Sequence, residues 1–504
     1  MTDGPSNRPE TSLDPDRFEK NAALAAAWAA EYWRTLEDRP VAPPTRPGDV
    51  LERLPRYAPE SGEPFERVLG DLTDLIAPNT LHWQHPGFFG YFPCNTSEPA
   101  VLADLITSAM GNQGMLWQTA PAANELERRL LDQMAHAIGL PEGFRSDAPS
   151  GGGVIQPTAS DATLAALVAA RRRVFDRHPD ARSDDLTLYT SDQAHSSVVK
   201  AAMIAGLARH ADDRSQLRLI PARNTGGPDH GSLDADALRS AVADDVRAGK
   251  VPTFVTATLG TTATGAFDDL AGIAGVLGDG PAAPRPWLHV DAAWAGAALI
   301  CPEHRAMLAG VEAADSFCFN PHKWLLTTFD CNLFWTQDRG TLVDAMSITP
   351  SYLRSEASES GEVFDYRDWG VPLGRRARAL KLWFVLRFFG LGAMRRFIRG
   401  HVAMAESLQR RIEAHPRLAL SCPRSLALVC LHATGPTLQD EDRLTDAVAA
   451  RVNASGYAYV TPAKILTPSG PRRTIRVSIG AVATEPRHVE RLVGTLSGAV
   501  NALT

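Results

Sequence analysis

Lysine is scarce in this sequence. Only six of the 51 basic residues are lysines, Lys20, Lys200, Lys250, Lys323, Lys381 and Lys464. Positive charge otherwise comes from arginine, so a lysine set among apolar residues has few ordinary explanations. Cysteine is sparse too: the six, at positions 94, 301, 318, 331, 422 and 430, form no CxxC pair. Neither a metal site nor a disulfide framework is therefore signalled. An excess of positive charge is also missing. A formal net charge of −7 excludes the basic footprint that phosphate neutralisation requires, so no nucleic-acid partner is expected. Long hydrophobic runs are absent as well. The longest early one, Ala22–Ala30, is nine residues of mostly alanine, about half of what a bilayer requires. The opening Met1-Thr2-Asp3-Gly4-Pro5 lacks the basic and apolar regions of a secretory signal. The expectation is a cytoplasmic protein with no membrane contact.

What is present is ordinary for a globular chain, 44% hydrophobic and 22% charged. At roughly 150 residues per domain the length suggests about three structural units. Residues 1–13, rich in Pro, Ser, Thr and Asn, read as a disordered tail. Asp14-Pro15 reads as an N-cap and first helical position. The helix that follows carries Phe18, Leu24, Trp28, Tyr32 and Leu36 at roughly helical spacing. Four prolines between Pro40 and Pro47 break it. An aromatic face cut off in this way needs something to pack on, so residues 14–100 are expected to form a helical dimerisation segment.

Downstream, helical patterns at Glu125–Ile138 and Asp161–Arg173 are followed by short β-prone runs. These lie at Leu186–Tyr189, Leu217–Ile220, Thr253–Thr256, Trp287–Val290 and Ser316–Phe319. Strands separated by helical stretches imply crossovers and a mainly parallel sheet, with ligand beyond the carboxyl ends of the strands. From Ala379 a long helix leads to further strand-like runs at Leu428–Leu431 and Thr474–Ser478. The expected division is a large domain over residues 101–390 and a small α+β domain over 391–504.

Five features carry chemistry. Lys323, in Asn320-Pro321-His322-Lys323-Trp324, follows an apolar strand and sits among Phe317, Phe319, Trp324 and Leu325. Desolvation favours the neutral amine that attacks a carbonyl to form a Schiff base; a buried lysine paired with a carboxylate has the same signature. Asp291 closes the run Trp287–Val290, with Ala292, Ala293, Ala295 and Gly296 leaving space beside it. A carboxylate there suits a pyridinium nitrogen, and equally a helix cap. Gly151–Ser160 leads into a helix whose start, at Thr158 and Ser160, is an anion site or an ordinary N-cap; no Walker motif is present. Gly260-Thr261-Thr262 offers further small donors. His195 precedes a helix, where it either caps or stacks on a planar ring. Tyr352 lies in a small, polar stretch from Ile348 to Gly361, where it is incidental unless the loop closes over a site as a general acid.

Taken in order, His85-Pro86-Gly87-Phe88-Phe89-Gly90-Tyr91-Phe92-Pro93, the Gly151–Ser160 run, Asp192-Gln193-Ala194-His195-Ser196-Ser197, Asp291-Ala292-Ala293, Asn320–Trp324 and Pro372-Leu373-Gly374-Arg375-Arg376 form a joint pattern. From about residue 18 to the C-terminus the chain resembles the aromatic-L-amino-acid decarboxylases. These are group II pyridoxal-phosphate (PLP) decarboxylases of fold type I, like aspartate aminotransferase. The resemblance implies an α/β fold with a mainly parallel seven-stranded sheet, helices on both faces and a small C-terminal α+β domain. It implies PLP carried on Lys323, with Asp291 on the pyridine nitrogen and His195 stacked on the ring. Ala159, Ser160, Thr262, Asn320 and His322 match positions around the phosphate. Trp83, Tyr91, Phe92 and Pro93 match the substrate's aromatic pocket. Gln113 and Met115 match residues that the partner subunit adds to it, so a homodimer with shared sites is implied.

Tyr352 matches the loop tyrosine that protonates the decarboxylated intermediate. The implied reaction converts tryptophan, DOPA, tyrosine or phenylalanine to the arylalkylamine and CO2. Relatives with Phe at the Tyr352 position are aldehyde synthases, so aromatic aldehyde formation is the alternative, alongside decarboxylation of another amino acid. Gly374 stands where some relatives carry Ser and leaves room for a larger ring. The chain departs from the animal enzymes at Cys94, Gln113 and Trp294.

Overall fold

The computed structural model describes residues 11, 13–278, 285–348 and 363–503. Its central sheet has seven strands. They are β1 (Gly152–Gln156), β2 (Leu186–Ser191), β3 (Leu217–Ile220), β4 (Val251–Thr258), β5 (Trp287–Asp291), β6 (Ser316–Phe319) and β7 (Asn332–Thr336). In space the order is β1-β7-β6-β5-β4-β2-β3. The five strands from β3 to β6 run parallel, whereas β7 is antiparallel to both β6 and β1.

Strands covered by helices on both faces carry apolar residues on both, which is why they read as short continuous runs in the sequence. A hydrophobic cluster fills each face. Val255, Leu288, Val290 and Phe317 point to one, and Phe254, Trp287, Cys318 and Phe334 to the other. The period of two therefore sends Trp287, His289 and Asp291 to the same side, toward the helix Ala159–Arg177, whose alanines form much of the second cluster.

Two of the seven strands, β1 and β7, lie outside the β-prone runs read from the sequence. The Gly151-Gly152-Gly153 run is not part of the anion loop; Gly152 and Gly153 open β1. A Cβ on Gly152 would lie 2.8 Å from Trp369 Cη2, and one on Gly153 2.7 Å from Trp335 Cδ1, so glycine admits two indoles against the sheet edge. The anion-binding character starts later, at the helix beginning with Ala159.

The long helix Ala379–Glu413 is interrupted at Gly390, which has φ 67° and ψ 157°. Beyond it lies an antiparallel sheet of β8 (Leu418–Leu420), β9 (Leu428–Ala433), β10 (Thr461–Thr467) and β11 (Gly470–Ser478), ordered β10-β11-β9-β8. At the other end of the chain, Asp14 caps the helix Pro15–Arg34 by accepting from Asp16 N and Arg17 N. None of that helix's residues is buried.

Candidate active site

The carboxyl ends of β4, β5 and β6 meet at one place. Thr258 pairs with Asp291, and Asp291 with Cys318. Immediately after β6 the chain turns through Pro321–Trp324, and backbone and side-chain bonds fix the turn. Asn320 N donates to Ala293 O at 3.0 Å, and Asn320 Oδ1 accepts from Asn332 Nδ2 at 2.8 Å. His322 O accepts from Asn95 N at 2.7 Å. Trp324 donates Nε1–H to His401 Nδ1 at 2.9 Å and stacks on Trp294 at 5.4 Å. Lys323 is thereby presented to a cavity of about 210 Å³, with Nζ 5.5 Å from the Phe92 ring centroid. No carboxylate lies within ion-pair distance of that amine among the described residues. Burial lowers its pKa, and the Asp291 carboxylate pulls the other way.

Asp291 is buried, and its Oδ1 accepts from Ala293 N at 2.9 Å, which leaves the second oxygen for a ligand. His195 Nδ1 accepts from Ser197 N–H at 3.2 Å, so the ring proton sits on Nε2. Burial lowers its pKa, with the Asp291 carboxylate pulling the other way. His322 Nδ1 accepts from Cys331 N–H at 2.9 Å, and burial pushes its pKa down to about 3.

Lys323, Asp291, His195, Asn320 and His322 border this cavity together with Ala159, Ser160 and Thr262. Ala159 and Ser160 open their helix after Thr158, whose N–H and hydroxyl both reach Asp161 Oδ2, at 3.1 and 2.6 Å. The free amides of such a first turn favour an anion. An apolar cavity of about 640 Å³ adjoins the first and shares Phe92, His195, His322 and Lys323 with it. Trp83, Tyr91 and Pro93 line it. A larger cleft of about 780 Å³, between Arg128, Asp132 and Phe364, holds none of these residues.

Gln113, Met115 and Gly374 border neither of the two joined cavities. They sit together elsewhere. Gln113 bridges to Arg376, a Cβ on Gly374 would lie 3.3 Å from Gln113 Oε1, and Met115 O accepts from Arg367 N at 3.0 Å. Tyr352 lies outside the described residues.

Several wall residues were not singled out from the sequence. Thr258 borders the first cavity, Phe329 both, and Thr461, Ala463 and Arg476 the second; Cys94, marked in the sequence only as a departure from the animal enzymes, lines the second too. Thr258 was within reach of a pattern, since it stands two residues before the Gly260-Thr261-Thr262 turn. Arg476 belongs to β11 of the other sheet, and no local spacing announces it. It is buried, with its Cζ 5.1 Å from the Phe92 centroid and its Nη2 without a partner among the described residues.

The donor set fits pyridoxal phosphate on this geometry. A desolvated amine without a carboxylate partner, a buried carboxylate with one oxygen free and a helix N-terminus face one space. Thr258 Oγ1 in the wall is out of solvent and unpaired among the described residues, as expected of a site shaped for a polar ligand. The pyridoxal-dependent decarboxylase conserved domain matches residues 47–434.

The chain belongs to the pyridoxal-dependent decarboxylases. It is similar over 95% of its length to the aromatic-L-amino-acid decarboxylase of Mus musculus, 38% identical and covering 96% of that protein. The phenylacetaldehyde synthase of Arabidopsis thaliana is likewise 38% identical, over 95% of this chain and 94% of that one. Among solved structures, Oryza sativa TDC with PLP and tryptamine superposes with a TM-score of 0.92 at 35% identity. That match covers 98% of this chain and 100% of the other. As a family member the protein is a carboxy-lyase that works with pyridoxal 5'-phosphate and has the fold type I architecture.

Proposed function

We propose that this pyridoxal-dependent decarboxylase converts L-aromatic amino acids (tryptophan, DOPA, tyrosine or phenylalanine) to arylalkylamines and CO2. One observation supports this most: the apolar cavity walled by Trp83, Tyr91, Phe92 and Pro93 opens onto Lys323. Trp83 and Tyr91 stack at 5.5 Å, and Phe92 lies against Trp294 at 4.5 Å. Such walls accept a flat ring in offset contact.

In this reading, Lys323 is the covalent anchor, and burial lowers its pKa, in the direction of the neutral amine that attacks a carbonyl. Asp291 would pair with the cofactor's ring nitrogen and favour its protonated form, and the Ala293 N–H bond holds the carboxylate in place for that. Pyridoxal phosphate, when bound, supplies an electron sink for the pair left by departing CO2. Ala159, Ser160, Thr262, Asn320 and His322 form the phosphate end. His195 lies along the cavity wall as a neutral ring with Nε2–H free to orient the substrate carboxylate. Tyr352 is the proposed proton donor to Cα, on the strength of its position in the resemblance.

The active unit is proposed to be a cytoplasmic homodimer. Gln113, Met115 and Gly374 then serve the neighbouring subunit's substrate pocket, since they border neither cavity of their own chain. The six cysteines are all free, as a reducing compartment would keep them, and no helix of the described residues is long and apolar enough to cross a membrane.

A second reading, oxidative conversion to the aldehyde, is favoured by the similarity to phenylacetaldehyde synthase. A panel of L-amino acids with amine, aldehyde and hydrogen peroxide quantified separates the two. Amine from aromatic substrates is expected. Aldehyde with peroxide as the dominant product, or turnover confined to non-aromatic substrates, would overturn the first reading.

A further inference from the structure

Beneath the cofactor cavity runs a line of buried polar side chains that the chemistry above does not use. Thr163, Trp287, His289 and Ser316 are all fully out of solvent. Their hydrogen bonds have an assignable direction. Trp287 donates Nε1–H to Ser316 Oγ at 2.8 Å. Ser316 Oγ lies 2.9 Å from His289 Nδ1. The indole only donates, which leaves the Ser316 hydroxyl hydrogen unspent. On the far side of the ring Thr163 Oγ1 gives its own hydrogen to Ala159 O and can only accept from Nε2, so the Ser316 hydrogen goes to Nδ1.

Burial pushes the His289 pKa down to about 4, against the opposing pull of the Asp291 carboxylate, so the ring is neutral and its proton sits on Nε2. Nε2 is 3.4 Å from Thr163 Oγ1, whose own hydrogen is given to Ala159 O at 2.9 Å. Thr163 thus accepts from the imidazole. Cys318 Sγ, 3.9 Å from Nε2, is a weaker second neighbour. The rings of Phe254 and Phe334, at 6.0 and 6.2 Å, close the remaining sides. The relay runs one way, from Trp287 on β5 through Ser316 on β6 and back through His289 to the first turn of the Ala159 helix.

We propose that His289 is a positioning residue that sets the spacing between the two anchors of the cofactor. One anchor is Asp291, two residues further along β5; the other is the helix start at Ala159 and Ser160. The proposal rests on the reading of this cavity as the pyridoxal phosphate site. The cofactor is a rigid ring with a short phosphate arm, so strand and helix must stay at one separation for both ends to be held. Apolar packing alone tolerates sliding between a strand and a helix. A buried hydrogen-bonded relay with each member satisfied holds one register, because any shift leaves a polar group unpaired in a dry interior. The same relay fixes the tautomer of a ring that stands beside Asp291, so a neutral imidazole, rather than a second cation, lies next to the ring-nitrogen partner.

Thr163→Val removes the Nε2–H acceptor while nearly preserving shape; Thr163→Ser retains it, and His289→Gln retains a donor toward Thr163. The readouts are the release rate of cofactor from the holoenzyme, followed by its visible absorption and circular dichroism, and the melting temperature of the cofactor-free protein. For Thr163→Val, release should be roughly tenfold faster, the size of one lost buried hydrogen bond, with an altered circular dichroism band. Thr163→Ser and His289→Gln should stay near wild type in release and in circular dichroism, while Thr163→Val also melts lower without cofactor because Nε2–H is then unpaired in a dry interior. The altered circular dichroism band of its holoenzyme is the readout that stability alone does not move. Wild-type release from Thr163→Val, or equal losses in Thr163→Val and Thr163→Ser, would overturn the positioning role. Lys323→Ala serves as the separate control. If it keeps the wild-type band, the cavity assignment itself fails; if the band vanishes while Thr163→Val behaves as wild type, only the relay fails.

Discussion

Histidine chemistry at the level of single residues makes the fold sensitive to acid. Burial holds His85, His289 and His401 near pKa 4 and His322 near 3. In the unfolded chain each titrates at about 6.5. Between these values the unfolded state binds protons that the native state refuses. The stability these groups contribute is therefore complete above pH 6.5 and is lost as pH falls toward 4. Two and a half units correspond to about 3 kcal/mol for a ring that stays dry. Asp268 acts in the opposite sense. Burial pushes its carboxyl up to about 6, although Leu233 N–H and Thr258 N–H donate to it. Its stabilising contribution is complete below the unfolded carboxylate range and is lost as pH rises through 6. Four groups outweigh one. The melting temperature should fall steadily from pH 7 to pH 5; a flat or rising profile in thermal unfolding would show that these rings admit water or protons in the native state.

Among the elements, the turn after β4 depends most on a single residue type. Gly260 has φ +90°, and a Cβ there would lie 2.9 Å from Ala295 Cβ and 3.1 Å from Trp294 Cε3. Gly260→Ala should lower stability by about 1–3 kcal/mol and weaken cofactor retention, because the turn and Trp294 both border the cavity. Wild-type denaturant midpoint and cofactor affinity in that variant would contradict this. The elements also show what was legible in advance. The parallel strands stand out because helices cover both their faces, so Leu217–Ile220 and Ser316–Phe319 coincide with observed strands. β1 lacks that signature, since it opens with glycines whose role is to admit Trp335 and Trp369; β7 carries it in Leu333-Phe334-Trp335 but follows β6 with no long helical stretch between to set it apart. Lys323 could be singled out because lysine is scarce in this chain, and Asp291 and His195 because a carboxylate closes a strand and an imidazole stands just before a helix. Thr461 and Arg476 could not, because they reach the apolar cavity from β10 and β11, well over a hundred residues from Lys323, and nothing local marks a strand residue that faces another sheet.

The whole molecule exposes an apolar face that a second copy is proposed to cover. On the helix Glu98–Met110, Leu102, Leu105, Ile106 and Met110 are spaced along one stripe and are 41–61% exposed. Gln113 lies three residues past the helix end, and Val371 and Leu373, at 66% and 51% exposure, precede Gly374. A contiguous apolar stripe of this kind marks an interface. Sedimentation velocity should show two chains, and Ile106→Glu with Met110→Glu should give monomers that turn over little substrate. A fully active monomer would remove the shared site. The account as a whole depends on where the vitamin-derived aldehyde becomes attached. Borohydride reduction of the coloured holoenzyme, followed by mass spectrometry of the intact chain and its peptides, measures this directly. One pyridoxyl-phosphate adduct per chain, on the peptide containing Lys323 and absent from Lys323→Ala, is the predicted result. An unmodified chain after incubation with excess coenzyme, or an adduct on another lysine, would contradict it.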